Sequence, residues 1–277
     1  MTATDWTTRA GLDGIRGDRS LGIWYRPLAF ALTVLILAIG VALIARFWPP
    51  NAVHVGEDLT HYLDGVRRWW ATGSPYLPNE VAGTFDYEIE TFLHPPISIP
   101  FFAPWLILPA ILWWAIPIGL TVSLVAAWRP APWTWPLIAF GLAQPTFHQA
   151  LLWGNSNLWI MAALGFGLAV GWPAALILLK PSLAFFAFVG IRRRSWWLVV
   201  LAVAIACIPF GSLWVQWATV VLNSPAEADY SLRNVPWVVI PLIAWAGRRQ
   251  RLPARAQLLG PFRVLGIPAA RSSARVR

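Results

Sequence analysis

Charged residues are scarce in this chain: they make up 12% of its 277 residues, against about 25% in a typical soluble domain. Acidic residues are also missing from long stretches, since no Asp or Glu occurs between residues 91 and 226. Hydrophobic residues make up 58% of the chain, and its mean hydropathy is +0.59. This composition excludes a soluble enzyme with an apolar core and indicates an integral membrane protein.

Cysteine and lysine are almost absent. Cys207 is the single cysteine and lies in an apolar run, which excludes a disulfide framework. No cluster of His, Cys, Asp or Glu has the spacing of a metal site, so we predict neither a metal nor a cofactor. Lys180 is the only lysine beside twenty arginines, and it also lies in an apolar run.

The apolar runs are long enough for membrane spans, because a bilayer core needs roughly 20 apolar residues in a helix. We expect an all-α polytopic bundle with eight crossings at 25–47, 97–108, 109–128, 133–152, 155–171, 173–190, 196–215 and 235–247. The alternative is a bundle with six crossings. In that arrangement 97–108 is re-entrant, and so is one member of the pair 155–171 and 173–190. Residues 1–247 then form one transmembrane domain with an outer loop at 48–96.

Arginine clusters set the expected orientation. They lie before the first span, at 192–194 and at 248–251, and such clusters next to apolar spans mark the cytoplasmic side. The net charge of +9 therefore does not indicate a nucleic-acid partner. We predict a multi-pass protein of the plasma membrane with both termini in the cytoplasm, an acidic loop 48–96 outside, and a disordered basic tail at 248–277 that touches anionic lipid.

The outer loop contains an amphipathic pattern. Apolar residues recur at helical spacing through 58–72, which predicts a helix on the outer membrane surface that ends at Gly73. Asp58 and His61 are three residues apart and therefore share one helix face. Asp58 has two possible roles at this position: it caps the free amides of the helix start, or it takes part in chemistry, and one carboxylate can do both.

Three further features have a structural and a functional interpretation. Lys180 inside an apolar run either extends to the interface or binds a lipid phosphate. His94 precedes Pro95 and Pro96, where the chain re-enters the membrane, and is either an ordinary interfacial residue or part of a pocket. The polar residues of the 154–157 segment either make hydrogen bonds between helices or contribute to a site.

Together these motifs resemble the polytopic GT-C glycosyltransferases, and most closely glycosyltransferase family 87. The resemblance covers about residues 25–195 and depends on the order and spacing of short motifs. The motifs are Gly56-Glu57-Asp58 with Tyr62, Gly73-Ser74-Pro75-Tyr76, His94-Pro95-Pro96, Gly154-Asn155-Ser156-Asn157 and Lys180-Pro181. The family's aromatic residue before Pro-Pro is His94 here, and the Gln of its Gly-Gln-x-Asn motif is Asn155.

The resemblance implies a specific reaction. A sugar, mannose or similar, would pass from a polyprenyl-phosphate donor to a glycan or glycolipid acceptor on the extracytoplasmic side, with inversion. Asp58 would be the general base in the first outer loop. A cation would stabilise the departing phosphate, and Lys180 is the candidate, with Arg67, Arg68 and Arg233 as alternatives. We expect the donor and substrate to contact Lys180, His61, Tyr62, Tyr76, His94, Asn157 and Arg233.

Two other functions remain open. The first is a non-catalytic or truncated membrane scaffold of the same fold, because this chain has a basic tail where family members usually carry further spans. The second is a transporter, which is less favoured since the chain shows no paired broken helices related by an internal repeat. If the protein is an enzyme of this class, Asp58 and Lys180 should approach one pocket.

Overall fold

The computed structural model describes residues 19–47, 55–85, 91–224 and 232–249. Within these ranges every regular element is helical, apart from an isolated bridge between Pro130 and Arg248. The all-α prediction is therefore confirmed for the described residues. Most of the predicted tail, 248–277, lies outside them, as do residues 86–90 of the outer loop.

The helices are numbered in chain order. They are α1 (Arg19–Phe47), α2 (Glu57–Thr72), α3 (Pro78–Ala82), α4 (Pro96–Leu106), α5 (Ile111–Trp128), α6 (Trp135–Leu142), α7 (Pro145–Trp153), α8 (Asn157–Val170), α9 (Arg194–Cys207), α10 (Leu213–Asn223), α11 (Val235–Val238) and α12 (Ile240–Ala246). Two 3-10 helices, Trp172–Leu179 and Pro181–Gly190, separate α8 from α9.

Within the described part of the chain, two helices are long and apolar enough to cross a bilayer: the Tyr25–Arg46 part of α1, with 22 residues, and α5, with 18. A third candidate is the bent pair of Arg194–Phe210 and α10. Other apolar helices are shorter; α8, for example, has 14 residues and is about 21 Å long at 1.5 Å per residue. The prediction of about eight complete spans is therefore not confirmed.

Two predicted spans are broken, and local backbone restrictions explain both breaks. The expected helix 133–152 is divided into α6 and α7 because Gln144 precedes a proline and adopts an extended conformation. The expected helix 196–215 bends by 93° between α9 and α10, next to Gly211, whose φ is +32°. The span predicted at 196–215 is therefore not one continuous helix, and α10 continues to Asn223.

The segment predicted as a span at 173–190 is also divided. Lys180 has an extended conformation between the two 3-10 helices, and Pro181 follows it. The predicted break at 171–173 is present, since α8 ends at Gly171 with φ +94°. The chain therefore turns back after α8. The extended backbone at Lys180 forms a local kink between the two 3-10 helices, which we call the Lys180 kink.

The larger core surrounds α8, which packs against α5, α12 and the Trp172–Leu179 helix. Ala174, Ala175 and Ile177 are fully buried there. Small side chains allow close approach: a Cβ on Gly167 would lie 2.5 Å from Cβ of Ala174. This tight packing places the Lys180 kink beside the start of α8.

The second core lies beneath α2 and is mostly aromatic. Tyr62 stacks on Phe102 with ring centroids 4.5 Å apart, and Trp113 packs edge-on against Trp105 at 5.1 Å. Stacked and edge-on rings add to the apolar burial. The predicted helix is present as α2, which ends at Gly73 with φ +83°, but its apolar face packs on protein and the predicted position on the membrane surface is not confirmed. Its buried face points into this core.

Candidate functional site

The site begins with the 154–157 turn between α7 and α8. Gly154 has φ +72°, a conformation that glycine adopts without strain. The indole of Trp113 donates to the Gly154 carbonyl at 2.7 Å, and the indole of Trp114 donates to the Leu151 carbonyl at 2.6 Å. The buried Trp113 therefore holds the turn itself, and the half-buried Trp114 holds the end of α7 just before it.

The start of α2 is hydrogen-bonded to the end of α7, next to the 154–157 turn. The backbone N–H of Gly56 donates to the Leu152 carbonyl at 2.8 Å. Gly56 has φ +82° and occupies the cap position, so Asp58 is not the N-cap residue of α2. Asp58 is the second residue of α2 and, like His61, is buried on the face that meets the turn.

The carboxylate of Asp58 is oriented by Asn155. Asn155 Nδ2 donates to Asp58 Oδ2 at 2.5 Å, and Asn155 Oδ1 accepts the backbone N–H of Asn157 at 2.9 Å. Because the second bond requires Oδ1 to face Asn157, the NH₂ group must face the carboxylate. A hydrogen-bond donor thus points at Asp58 from the turn.

The ammonium of Lys180 meets the neighbouring residue of the same turn. Lys180 Nζ donates to Ser156 Oγ at 3.2 Å. Ser156 is buried, and its backbone N–H donates to the Tyr62 hydroxyl at 3.2 Å, while that hydroxyl donates to Ser156 Oγ at 3.5 Å. Lys180, Ser156 and Tyr62 therefore form one hydrogen-bonded network that connects the Lys180 kink, the 154–157 turn and α2.

His94 also lines the site and packs against aromatic rings there. Its ring is edge-on to Tyr62 at 4.8 Å and to Phe102 at 5.2 Å between centroids. Burial, and secondly the charge of Lys180, hold the pKa of His94 well below 6.5. Burial also lowers the pKa of His61, although Glu57 and Asp64 oppose this effect. Both imidazoles are therefore neutral at physiological pH.

A buried carboxyl group supports the wall that contains His94. Glu80 is fully buried and accepts the backbone N–H of Leu77 at 2.9 Å. It also bonds to the Thr91 side chain and the Phe92 backbone, while burial raises its pKa above 4.5. Tyr76 donates to the His94 carbonyl at 3.0 Å, so this wall is held from several sides.

These side chains enclose a small polar pocket of about 80 Å³. Asp58 and Lys180 both line it, as expected from the sequence. The other lining residues are His61, Tyr62, Thr91, Leu93, His94, Pro95, Asn155 and Pro181. We call this space the polar pocket.

A second, larger space adjoins the polar pocket. It has a volume of about 610 Å³ and is lined almost entirely by apolar side chains of α4, α8 and the Trp172–Leu179 helix. Phe101, Trp159 and Leu176 are examples. His94 and Lys180 belong to the walls of both spaces. We call the larger space the apolar cavity; the ammonium stands at its boundary with the polar pocket.

Three predicted site residues do not line the polar pocket. Tyr76 lies behind the wall and bonds to the His94 backbone, and Asn157 is buried with its backbone N–H directed to Asn155. Arg233 is exposed, and its carbonyl accepts from Thr146 on α7. Of the alternative cations, Arg67 pairs with Asp64 at 2.5 Å and Arg68 donates to the Pro75 carbonyl.

The set of predicted site residues omits Asn155, which donates to Asp58, and Ser156, which accepts from Lys180. Their signal was present in the sequence, since both belong to a polar segment between two apolar runs. The segment was recognised, but the residues that contact Asp58 and Lys180 within it were not. Within the described ranges, no group of three His, Cys, Asp or Glu side chains could hold a metal ion.

Comparison with protein-family models, with curated proteins and with solved structures gives no match for this chain. The resemblance to glycosyltransferase family 87 therefore remains a prediction from short motifs. The function has to be argued from the chemistry of the polar pocket and the apolar cavity.

Proposed function

We propose that this chain is a membrane glycosyltransferase that moves a sugar from a polyprenyl-phosphate donor to a glycan or glycolipid acceptor on the extracytoplasmic side. One observation supports this proposal above the others. Asp58 and Lys180 line one polar pocket, and Lys180 also lines the apolar cavity beside it. A carboxylate, a cation and an apolar space match the hydroxyl, the phosphate and the prenyl chain that this reaction requires.

The apolar cavity suits the lipid part of such a donor. Its volume of about 610 Å³ lies within the usual range of ligand sites, roughly 300–1,000 Å³. The polar groups in its wall are concentrated at His94, Ser156 and Lys180, next to the polar pocket. A prenyl chain in the cavity would therefore place its phosphate at the ammonium.

The reaction follows from this arrangement. Asp58 accepts the proton of the acceptor hydroxyl as its oxygen attacks the anomeric carbon of the sugar. The bond between that carbon and the phosphate oxygen breaks, and the bonding electrons leave with polyprenyl phosphate. Lys180 stabilises the charge that develops on the departing phosphate. Attack from the side opposite the phosphate inverts the anomeric centre.

A lipid-phosphate-binding scaffold is the second candidate, because it would use the same cavity and ammonium. It would have no need of a carboxylate that is oriented by Asn155 in the pocket. A glycosyltransferase therefore requires both Asp58 and Lys180, whereas a scaffold requires Lys180 but not Asp58.

The test uses the purified chain reconstituted in phospholipid vesicles. Polyprenyl phosphate carrying radiolabelled mannose or arabinose is the donor, and a lipid extract of cell membranes is the acceptor source. We expect Asp58→Asn to lower transfer at least about 100-fold, since general base catalysis contributes roughly 10²–10⁴. Lys180→Met should weaken binding of the probe farnesyl phosphate.

Asp64→Asn is the matched control, because Asp64 lies on the same helix but pairs with Arg67 at the surface. It should keep transfer within about twofold, given that exposed ion pairs contribute little. Wild-type transfer by Asp58→Asn would contradict the proposal. Binding of farnesyl phosphate by a wild-type protein that transfers neither sugar would favour the scaffold.

A further inference from the structure

We propose that the 154–157 turn positions the two charged groups of the polar pocket separately: Asn155 positions the carboxylate of Asp58, and Ser156 positions the ammonium of Lys180. The assignment of a catalytic effect to these two residues rests on the proposed function. The contacts on which the proposal depends are independent of that function, because they are hydrogen bonds between partly buried side chains in the structure itself.

The turn is rigid enough for this role. The Gly154 carbonyl accepts from the indole of Trp113, and the Leu151 carbonyl just before the turn accepts from the indole of Trp114. Gly154 cannot be replaced without a collision. A Cβ on Gly154 would lie 2.9 Å from the Trp114 ring and 3.4 Å from Cβ of Leu59. A change at Asn155 or Ser156 that keeps Gly154 should therefore leave the course of the turn intact.

Asn155 acts on the carboxylate alone. Both ends of its amide are bonded, one to the backbone of Asn157 and the other to Asp58. A donor that points at an oxygen of Asp58 fixes the rotation of the carboxylate and favours its charged form. Loss of this donor should therefore make Asp58 easier to protonate and less well aligned with an acceptor hydroxyl.

Ser156 acts on the ammonium. A lysine side chain has four rotatable carbons and a compact charge, so its position depends on what binds the ammonium. Ser156 Oγ accepts from Lys180 Nζ, and Tyr62 in turn holds Ser156 through its backbone N–H. Loss of this hydroxyl should release the ammonium from the boundary between the pocket and the cavity.

Two binding and labelling measurements test the proposal without any transfer reaction. The first is the affinity for farnesyl phosphate, measured by calorimetry in detergent. The second is the pH at which a carbodiimide labels Asp58, measured by mass spectrometry, because carbodiimides react with protonated carboxyl groups. The titratable residues that line the same pocket are His61, Tyr62, His94 and Lys180, and they stay unchanged in the variants.

Ser156→Ala should weaken farnesyl phosphate binding roughly tenfold, in keeping with one hydrogen bond to a charged group. Asn155→Ala should leave that affinity within about twofold and should shift the labelling of Asp58 to higher pH. Ser123→Ala and Asn79→Ala are matched controls on exposed positions and should change neither measurement. In the transfer assay, Asn155→Ala should lower the rate at saturating donor.

The proposal is overturned if Ser156→Ala binds farnesyl phosphate as the wild type does, or if Asn155→Ala leaves the labelling of Asp58 at the same pH. It is also overturned if each variant changes both measurements equally. If both measurements behave as expected while the wild type transfers no sugar, the proposed function fails and the positioning roles stand.

Discussion

His94 is the residue whose surroundings most strongly oppose a charge. It is enclosed by Tyr62, Phe92 and Phe102, and Lys180 faces it from the same pocket. Desolvation and the nearby ammonium both favour the neutral imidazole. His94 therefore stays neutral at the boundary of the two spaces, where an imidazolium would be repelled by the ammonium of Lys180.

This environment predicts a pH dependence of stability. Because the pKa of His94 is lowered in the folded state, the unfolded chain binds more protons below about pH 6.5. The stabilising contribution is complete above that pH and is lost as the pH falls. We expect the thermal unfolding midpoint in detergent to be lower at pH 5.5 than at pH 7.5. This drop should be about 3 °C smaller in His94→Phe than in the wild type.

The control for this measurement is His148→Phe, which changes a histidine of α7 outside the polar pocket. It should retain the wild-type pH dependence. His61 also has a lowered pKa, so His94→Phe should reduce the dependence without removing it. Identical pH profiles for His94→Phe and the wild type would contradict this description of His94.

At the residue level, helical spacing and unusual residue types were sufficient for part of the site. Asp58 and His61 were placed on one face by their separation of three residues, and Lys180 was found as the lone lysine. The contact between Asp58 and Asn155 joins positions 97 residues apart, so no local pattern could reveal it. Arg233 was chosen for its charge alone and lies elsewhere.

Among the structural elements, the 154–157 turn is the one on which the site most depends. It contacts α2 through Asp58, the Lys180 kink through Ser156, and α5 through Trp113. Its geometry requires a positive φ and a close approach of the Trp114 ring at Gly154. Both requirements select glycine.

Gly154→Ala and Gly73→Ala form a matched pair that separates these two requirements. Both glycines have positive φ, +72° and +83°, but no atom lies within 4 Å of a Cβ on Gly73. We expect Gly73→Ala to cost about 1 kcal/mol in the free energy of unfolding, as backbone strain alone requires. Gly154→Ala adds a collision and should cost roughly 1–3 kcal/mol more.

Reversible unfolding in mixed detergent, followed by circular dichroism, measures the difference. Gly154→Ala should also weaken farnesyl phosphate binding, because Ser156 moves with the turn. Equal stability of the two variants would show that the Trp114 contact does not restrict the turn.

The helices that the sequence predicted correctly have strong local signals. The breaks that it did not predict depend on a single proline or glycine. The uninterrupted apolar run predicted α1, and the amphipathic pattern followed by Gly73 predicted α2. The breaks at Gln144-Pro145 and next to Gly211 lie inside apolar runs, where hydropathy cannot show them. At Gln144 the following proline is the signal, since the helical region is disfavoured for the residue before a proline.

For the whole molecule, the central claim is that the polar pocket opens on the outer face of the membrane above an apolar cavity. The arginine-rich connector at 192–194 indicates the opposite, cytoplasmic face by the positive-inside rule. Two or three helices are long enough to span, while the short and broken helices surround the pocket and the cavity. The orientation of the outer loop therefore determines which side of the membrane the polar pocket faces.

Cysteine accessibility in intact cells measures this orientation directly. Cys207 is replaced by alanine, and a cysteine is introduced at Asn79 in the outer loop or at Arg192 in the basic connector, since both positions are exposed. A membrane-impermeant maleimide should label Asn79→Cys in intact cells and Arg192→Cys only after permeabilisation. The reverse pattern would place Asp58 on the cytoplasmic side and contradict the account.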